Sequence, residues 1–179
     1  MKATGIVRRI DDLGRVVIPK EIRRTMRIRE GDPLEIFTDR EGTLILKKYS
    51  PIGELSDFAG GLCESLRSVS EGVVAVCDRE KLIAAAGNGK KEVLEKDVSR
   101  ELEELMEHRT LYQRQKGKNC LPAAEGGTLC LSVAAPILCE GDLLGCVLLL
   151  GAPTDPLPED SEVRLAKLAA SVLSHQLSA

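Results

Sequence analysis

The cationic side chains near the N-terminus are the residues best suited to chemistry. Between positions 8 and 29 the chain carries seven arginines and one lysine against three acidic residues. A guanidinium can donate paired hydrogen bonds to a phosphate, and it can also bind the O6 and N7 atoms of guanine. The cluster therefore predicts a surface that binds double-stranded DNA. The candidate DNA-binding residues are Arg8, Arg9, Arg15, Lys20, Arg23 and Arg24.

The charge of the chain is divided unevenly along its length. Residues 1–50 carry 12 Lys/Arg against 8 Asp/Glu, a balance of +4, and residues 51–179 carry 13 against 20, a balance of −7. The net charge of −3 conceals this division, which predicts that the two parts do different work. The alternative to a DNA-binding surface is a solvated face without a partner, which is what most runs of charged residues form. The shortage of acids near the arginines favours a polyanion partner.

Short elements are predicted to position the cations. Residues 4–10 are rich in β-branched side chains, so a strand is predicted there, with a second at Arg15–Ile18. The segment Asp11–Gly14 between them has the residue types of a turn. Pro19 suits the first position of a helix that ends near Met26 and buries Ile22 and Met26.

The N-terminal domain is predicted to be an obligate homodimer. Leu34–Thr38 and Thr43–Lys48 complete it as a hairpin around residues 39–42. Four short strands and one helix in about 50 residues cannot bury much surface, and folds of this size usually need a metal, a disulfide or a partner subunit. The first cysteine of the chain is Cys63, so this domain has no cysteine for a disulfide or a metal site. A partner subunit is the remaining means of stabilising it.

Three segments of this domain resemble the AbrB-type transition-state regulator domain. They are Thr4–Arg9, Asp12–Pro19 and Leu44–Tyr49. The resemblance implies an all-β fold in which two chains interleave hairpins into one swapped-hairpin barrel that binds DNA. It also implies that Arg8, Arg15, Arg23 and Arg24 contact the DNA. The whole chain resembles a family of sporulation transcription regulators, either activating or repressing, that carry a C-terminal GAF-like sensor domain.

We predict three parts: a DNA-binding and dimerisation domain at 1–50, a linker at 51–54 and a GAF-like α+β domain at 55–179. The elements predicted in the last part are a helix with an apolar stripe at Leu55, Phe58, Leu62, Leu66 and Val69, strands at 72–77 and 82–86, a helix at 92–108, a loop at 111–127, strands at 128–138 and 143–150, and a helix opening at Pro158. This order gives an antiparallel sheet covered by helices. The resemblance, not the periodicity, identifies it as GAF-like.

The last helix carries two apolar stripes. One comprises Val163, Ala166, Ala170, Leu173 and Leu177, and the other comprises Leu165, Leu168 and Val172. A helix that is apolar on two sides is covered on two sides. We therefore predict a helical bundle between subunits that joins two dimers into a homotetramer. The alternative is that both stripes are buried within one monomer.

No catalytic or metal-binding site is predicted, and we expect a non-enzyme. The six cysteines include no C-x-x-C pair and are expected to be buried thiols. The segment 87–91 lacks the spacing of a phosphate-binding loop. No stretch is apolar for long enough to span a membrane, so a cytoplasmic protein is expected. The C-terminal domain either binds an unidentified small-molecule ligand or serves only in assembly. A third hypothesis is an antitoxin-like autoregulator.

Overall fold

The structure, a computed structural model, describes residues 5–178. The chain divides between Tyr49 and Ser50 into two compact units, and each unit contains its own sheet. The first unit contains helix α1 (Lys20–Thr25) and strands β1 (Leu34–Thr38) and β2 (Leu44–Lys48). The second contains helices α2 (Pro51–Glu54), α3 (Ser56–Arg67), α4 (Arg100–Glu107) and α5 (Asp160–Leu177). Its strands are β3 (Val73–Cys77), β4 (Leu82–Ala86), β5 (Tyr112–Gln113), β6 (Cys130–Cys139) and β7 (Asp142–Gly151), and a 3-10 turn covers Lys90–Glu92.

The predicted hairpin of the first unit is confirmed. Strands β1 and β2 pair antiparallel, from Leu34 opposite Lys48 to Thr38 opposite Leu44. At the turn, the Asp39 carboxylate accepts hydrogen bonds from the Thr43 and Glu41 backbone N–H groups. These bonds lower the pKa of Asp39, chiefly through Thr43. The turn chemistry that the sequence indicated therefore closes this hairpin.

The two strands predicted before α1 do not form in the chain as described. Residues 5–10 and 15–19 belong to no ladder, and position 4 lies outside the described residues. A strand requires a partner backbone, and the sheet of this unit contains only β1 and β2. The predicted turn between them is present, since Gly14 N–H donates to the Asp11 carbonyl at 3.0 Å. The helix begins at Lys20, with Pro19 as its N-cap.

The first unit has no core of its own. None of residues 5–49 is buried. The expected burial of Ile22 and Met26 is wrong for the single chain, because Ile22 is half-buried and Met26 is 47% exposed. Apolar side chains on either side of the turn are also open to solvent, including Val7 at 89% exposed and Val17 at 69% exposed.

The second unit is a five-stranded antiparallel sheet in the order β4-β3-β7-β6-β5. Helices α2, α3 and α5 cover one face, where Ile52, Cys63 and Leu173 are fully buried. Helix α4 and its flanking loops cover the other face. Because both faces are covered, every residue of β3 is buried, and alternate residues enter opposite cores.

Two predictions near the start of this unit are wrong. The segment 51–54, predicted as a linker, forms α2 with Ile52 buried, and the Ser50 hydroxyl caps it by accepting the Gly53 N–H. The predicted stripe of α3 is wrong in part: Leu66 is buried as expected, but Ala59 and Cys63 are also buried, whereas Phe58 is 41% exposed. The small side chains of Ala59 and Cys63 therefore occupy two of the three buried positions of α3.

The predicted helix at 92–108 starts eight residues late. Helix α4 begins at Arg100, and the Ser99 hydroxyl caps it by accepting the Leu102 N–H at 3.0 Å. Upstream, Glu95 has a φ of 63°, which interrupts any continuous helix. The predicted loop at 111–127 contains the short strand β5 and the buried side chain of Arg114.

The cysteine prediction is correct for three residues and wrong for three, among which Cys139 is a free thiol that is only half-buried. Cys63, Cys77 and Cys146 are buried free thiols. Burial raises the pKa of the Cys63 thiol to about 12. Cys120 and Cys130 instead form a disulfide with a Cα–Cα distance of 5.4 Å. The turn between them brings the two residues together, and their sequence spacing alone did not indicate it.

Helix α5 buries the first predicted stripe and leaves part of the second exposed. Ala166, Ala170 and Leu173 are buried against the sheet. Leu168 is 63% exposed and Val172 is 37% exposed. The alternative in which one monomer buries both stripes is therefore wrong for these two residues.

Candidate nucleic-acid interface

The turn at 11–14 holds one candidate arginine in a defined position. Asp11 N–H donates to the Arg15 carbonyl at 3.0 Å, while the Asp11 carboxylate accepts the backbone N–H groups of Arg15 at 2.7 Å and Leu13 at 3.1 Å. The same carboxylate accepts the Arg15 Nε–H at 2.8 Å. Gly14 completes the turn with a φ of 77°, a conformation that favours glycine.

The Asp11–Arg15 pair orients the guanidinium without burying it. Hydrogen bonding from Arg15, first through its backbone and then through its side chain, lowers the pKa of Asp11, so this carboxylate stays charged near neutrality. The Arg15 side chain is 68% exposed. The pair uses Nε, and among the described residues the two terminal nitrogens have no partner. These nitrogens are the fork that can bind a phosphate or a guanine.

The sequence did not identify Asp11 as a partner of Arg15. The cations of the segment were expected to be unpaired, and this expectation is wrong for Arg15. The usable signal was an aspartate at the first position of a tight turn, four residues before an arginine. A surface ion pair of this kind contributes little to stability, because solvent screens it. Its effect is mainly on the orientation of the side chain.

Helix α1 presents three of the other candidates. Lys20 is its first residue, and Arg23 and Arg24 lie in its last turn, all exposed. Residues three and four apart are neighbours on a helix surface, so Lys20 lies beside both arginines. Cations in the last turn interact favourably with the negative end of the helix dipole. The helix therefore presents three neighbouring positive charges to solvent, and none of the three side chains is buried.

Arg8 and Arg9 lie in the irregular segment before the turn, and both are exposed. Neither makes a hydrogen bond or ion pair within residues 5–178. The turn folds the chain back after them, since Asp11 N–H reaches the Arg15 carbonyl. All six predicted candidates are thus solvent-exposed cations within 17 positions of one another, on a unit with an uncovered apolar surface. Such an arrangement can bind a polyanion, but it contains no group arranged for catalysis.

The second unit carries a buried cation that the sequence did not reveal. Arg114 is 6% exposed and donates to three backbone carbonyls in the segment that leads to α5, those of Ala152, Asp155 and Pro156. Its Nε has no hydrogen-bond partner. Arg114 therefore fixes the segment 152–156 beside the edge of the sheet.

A groove of about 360 Å³ lies between α5 and β6. Its lining includes Leu111, Pro136 and Leu138, with Lys167 and Ser171 contributed by α5. The groove is a depression that is largely open to solvent, not an enclosed cavity. On the opposite face of the sheet the core is filled by apolar side chains, among which Leu82 and Leu102 are fully buried.

Among residues 5–178, no cluster of three or more His, Cys, Asp or Glu side chains is suited to holding a metal ion. No helix within the same range is long and apolar enough to cross a membrane.

Comparison with known proteins confirms the sequence resemblance. The chain is 47% identical over 178 residues to stage V sporulation protein T of Bacillus subtilis, which covers 99% of each protein. It is 56% identical over 71 residues to the transition state regulatory protein AbrB of the same organism, covering 34% of this chain and 73% of the relative. The family described as "Antidote-toxin recognition MazE, bacterial antitoxin" matches residues 7–54.

Among solved structures, the GAF domain of PixJ from Thermosynechococcus elongatus superposes with a TM-score of 0.51 at 12% identity, covering 72% of this chain and 90% of that one. Identity this low shows the fold alone, which for the second unit is GAF-like. The family described as "Stage V sporulation protein T C-terminal, transcription factor" matches residues 54–178. With this match and a relative that aligns along almost its whole length, the chain belongs to the stage V sporulation protein T family of transcription factors.

Proposed function

We propose that the chain is a DNA-binding regulator of sporulation genes and that residues 1–50 form its DNA-binding domain. The observation that carries the proposal is the exposed cationic segment, in which Arg15 is pre-oriented by Asp11. In this proposal the contacts to DNA come from Arg8, Arg9, Arg15, Lys20, Arg23 and Arg24. Helix α1 has six residues, which is too short for a long recognition helix, so the turn and the helix share the contacts. The likeness to AbrB supports the assignment.

The DNA-binding form is a homodimer with a swapped-hairpin barrel. Support comes from the absence of any buried residue among 5–49. The uncovered apolar side chains, Val7 and Val17 among them, flank backbone that has no strand partner within residues 5–178. A second copy would supply both the missing partner strands and the missing core, as expected for a domain this small. The two-fold axis would also double the cationic surface.

The domain at 55–179 joins two such dimers into a tetramer through α5. The supporting observation is the exposure of Leu168 and Val172 on a helix whose other face packs against the sheet. Helix α3 also exposes Phe58. An exposed apolar stripe along an 18-residue helix is the kind of surface that packs against another helix.

The same domain senses a small molecule in our proposal, and the alternative is a module that serves assembly only. The groove beside α5 favours sensing, because it is apolar with one cation, Lys167, and adjoins the helix that would form the tetramer. A ligand there would bias the position of α5 and thereby activate or repress transcription through the spacing of the two DNA-binding dimers. Native mass spectrometry of the purified protein separates the two hypotheses, since a copurified molecule supports sensing.

DNA binding is tested by fluorescence anisotropy with a duplex selected from random-sequence DNA by the wild-type chain. Arg15→Ala and Arg23→Ala should abolish specific binding at matched salt while the dimer stays folded. Lys116→Ala is the matched control, because Lys116 is an exposed cation of the second unit. Its affinity should equal that of the wild type. Unchanged affinity in both arginine variants would remove the assignment.

A second candidate function is an antitoxin-like autoregulator, which the match of residues 7–54 favours. An antitoxin of that kind uses a short tail to bind its toxin, whereas this chain continues into a folded unit of its own. The DNA-binding role is common to both functions. Coexpression with the product of the adjacent gene distinguishes them, since only an antitoxin would rescue growth from a toxic neighbour.

A further inference from the structure

Arg27 occupies a backbone position that normally belongs to glycine. Its φ is 50°, in the left-handed region, directly after the C-cap Met26 of helix α1. The Ile28 N–H donates to the Arg23 carbonyl at 2.8 Å, and the Arg27 N–H donates to the Arg24 carbonyl at 3.3 Å. These two bonds form the Schellman motif, in which the left-handed residue is usually glycine because a Cβ is strained there.

A further contact holds Arg27 in this conformation. The Lys48 ammonium, from the last residue of β2, donates a hydrogen bond to the Arg27 carbonyl. Strained backbone of this kind persists only where neighbouring structure enforces it, and it concentrates at functional sites. Glycine would adopt this conformation without strain, so what the arginine adds at this position is its cationic side chain.

The Arg27 side chain supplies no internal contact. It is exposed, and within residues 5–178 it makes no hydrogen bond or ion pair. Arg109 provides a comparison, since it follows the C-cap of α4 with a φ of 53°. Its Nη1 donates to the Gly141 carbonyl at 2.6 Å, which gives that arginine a structural role. Arg27 has the same backbone conformation without any such role.

We propose that Arg27 contacts a DNA phosphate, in addition to the six candidates named from the sequence. This inference rests on the proposed DNA-binding function. Arg27 lies three positions after Arg24, just beyond the C-cap of α1, so the three cations are close together along the chain. Phosphate is the expected target because most protein contacts to DNA are made to its backbone. In a dimer, two copies of Arg27 would contribute.

Arg27→Gly separates this role from a structural one, because it relieves the strain and removes the cation. Hydrogen exchange of the full-length chain should slow several-fold in peptides covering 20–30, since glycine is preferred at this position. Affinity should fall about threefold to tenfold for the selected duplex and for a random-sequence duplex alike. The slope of log K against log salt should decrease in magnitude by about 0.9 for each Arg27 that contacts a phosphate.

Three variants complete the test. Arg27→Asn tolerates the left-handed conformation and should lose DNA affinity as Arg27→Gly does, whereas Arg27→Lys should keep the salt slope. Arg109→Gly should leave DNA binding unchanged. The role of Arg27 would be overturned if Arg27→Gly and Arg27→Asn kept the wild-type affinity and salt slope. If Arg15→Ala still lost affinity, the proposed DNA-binding function would stand. Wild-type affinity in Arg15→Ala and Arg23→Ala as well would overturn the DNA-binding function beneath it.

Discussion

Removing the disulfide between Cys120 and Cys130 should destabilise the second unit without unfolding it. The two cysteines are ten positions apart, and Cys130 is the first residue of β6. Chain-entropy arguments give about 3 kcal/mol for cross-linking a loop of this size in the unfolded state. The folded loop keeps its backbone contacts, because Leu131 N–H donates to the Leu121 carbonyl at 2.8 Å and Ser99 N–H to that of Ala123 at 3.0 Å.

This free energy corresponds to a measurable shift in melting temperature. Unfolding entropy is about 2 cal/mol/K per residue, so for a unit of some 130 residues a loss of 3 kcal/mol lowers Tm by about 10 °C. The assay is thermal unfolding by circular dichroism, before and after treatment with a dithiol reductant. Peptide mass mapping establishes the state of the disulfide in each sample.

Cys120→Ser should melt like the reduced wild type whether or not reductant is present. The Cys120 position is exposed, so the substitution leaves the core intact. Cys139→Ser is the matched control, since Cys139 is a half-buried free thiol, and its melting should respond to reductant as the wild type does. A change of less than about 2 °C on reduction of a disulfide that mass mapping has shown to be present would refute the entropic argument.

The remaining predictions concern assembly and the DNA-binding turn. Replacing both Leu168 and Val172 with Glu should convert tetramers into well-folded dimers by analytical ultracentrifugation, whereas aggregated or unfolded protein would place these residues in the monomer's core. Residues 1–52 alone should dimerise but bind DNA more weakly than the whole chain because avidity between paired dimers is lost; a monomeric fragment would contradict the swapped barrel. The Asp11 carboxyl should titrate below its ordinary value of 3.8, so its contribution to the turn is present above that pH and is lost as pH falls through the lowered pKa. An NMR titration midpoint at or above 3.8 would contradict the hydrogen bonding with Arg15.

Local sequence signals predicted the elements that local physics determines. The turn at Asp11–Gly14, the β1–β2 hairpin and the strands β3 and β4 follow from turn chemistry and apolar patterning. The first stripe of α5 was also correct, because the side chains of a long amphipathic helix repeat at a fixed spacing.

Features that depend on distant contacts could not be predicted in this way. The strands expected at 4–10 and Arg15–Ile18 need partner backbone, and residues 5–178 of a single chain do not supply it. The pairing of Cys120 with Cys130 depends on how the loop between them folds. Burial of Arg114 depends on carbonyl groups about 40 positions away along the chain.

Within the candidate site, residue types identified the cations but not their settings. The arginine spacing predicted the exposed cationic segment. The Asp11 carboxylate that orients Arg15 was found only in the structure. The left-handed conformation of Arg27 is a property of the backbone that the residue type does not indicate. From sequence alone, an arginine that follows a helix is usually interpreted as a solvent-exposed charge.

Hydrogen–deuterium exchange of the full-length protein, with and without the selected duplex, tests the central claim most directly. DNA binding through the cationic segment predicts that exchange slows in peptides covering residues 8–29, while peptides from β3, β6 and β7 exchange at unchanged rates. Protection confined to the second unit, or no protection anywhere at saturating duplex, would contradict the claim that the N-terminal segment is the DNA-binding surface.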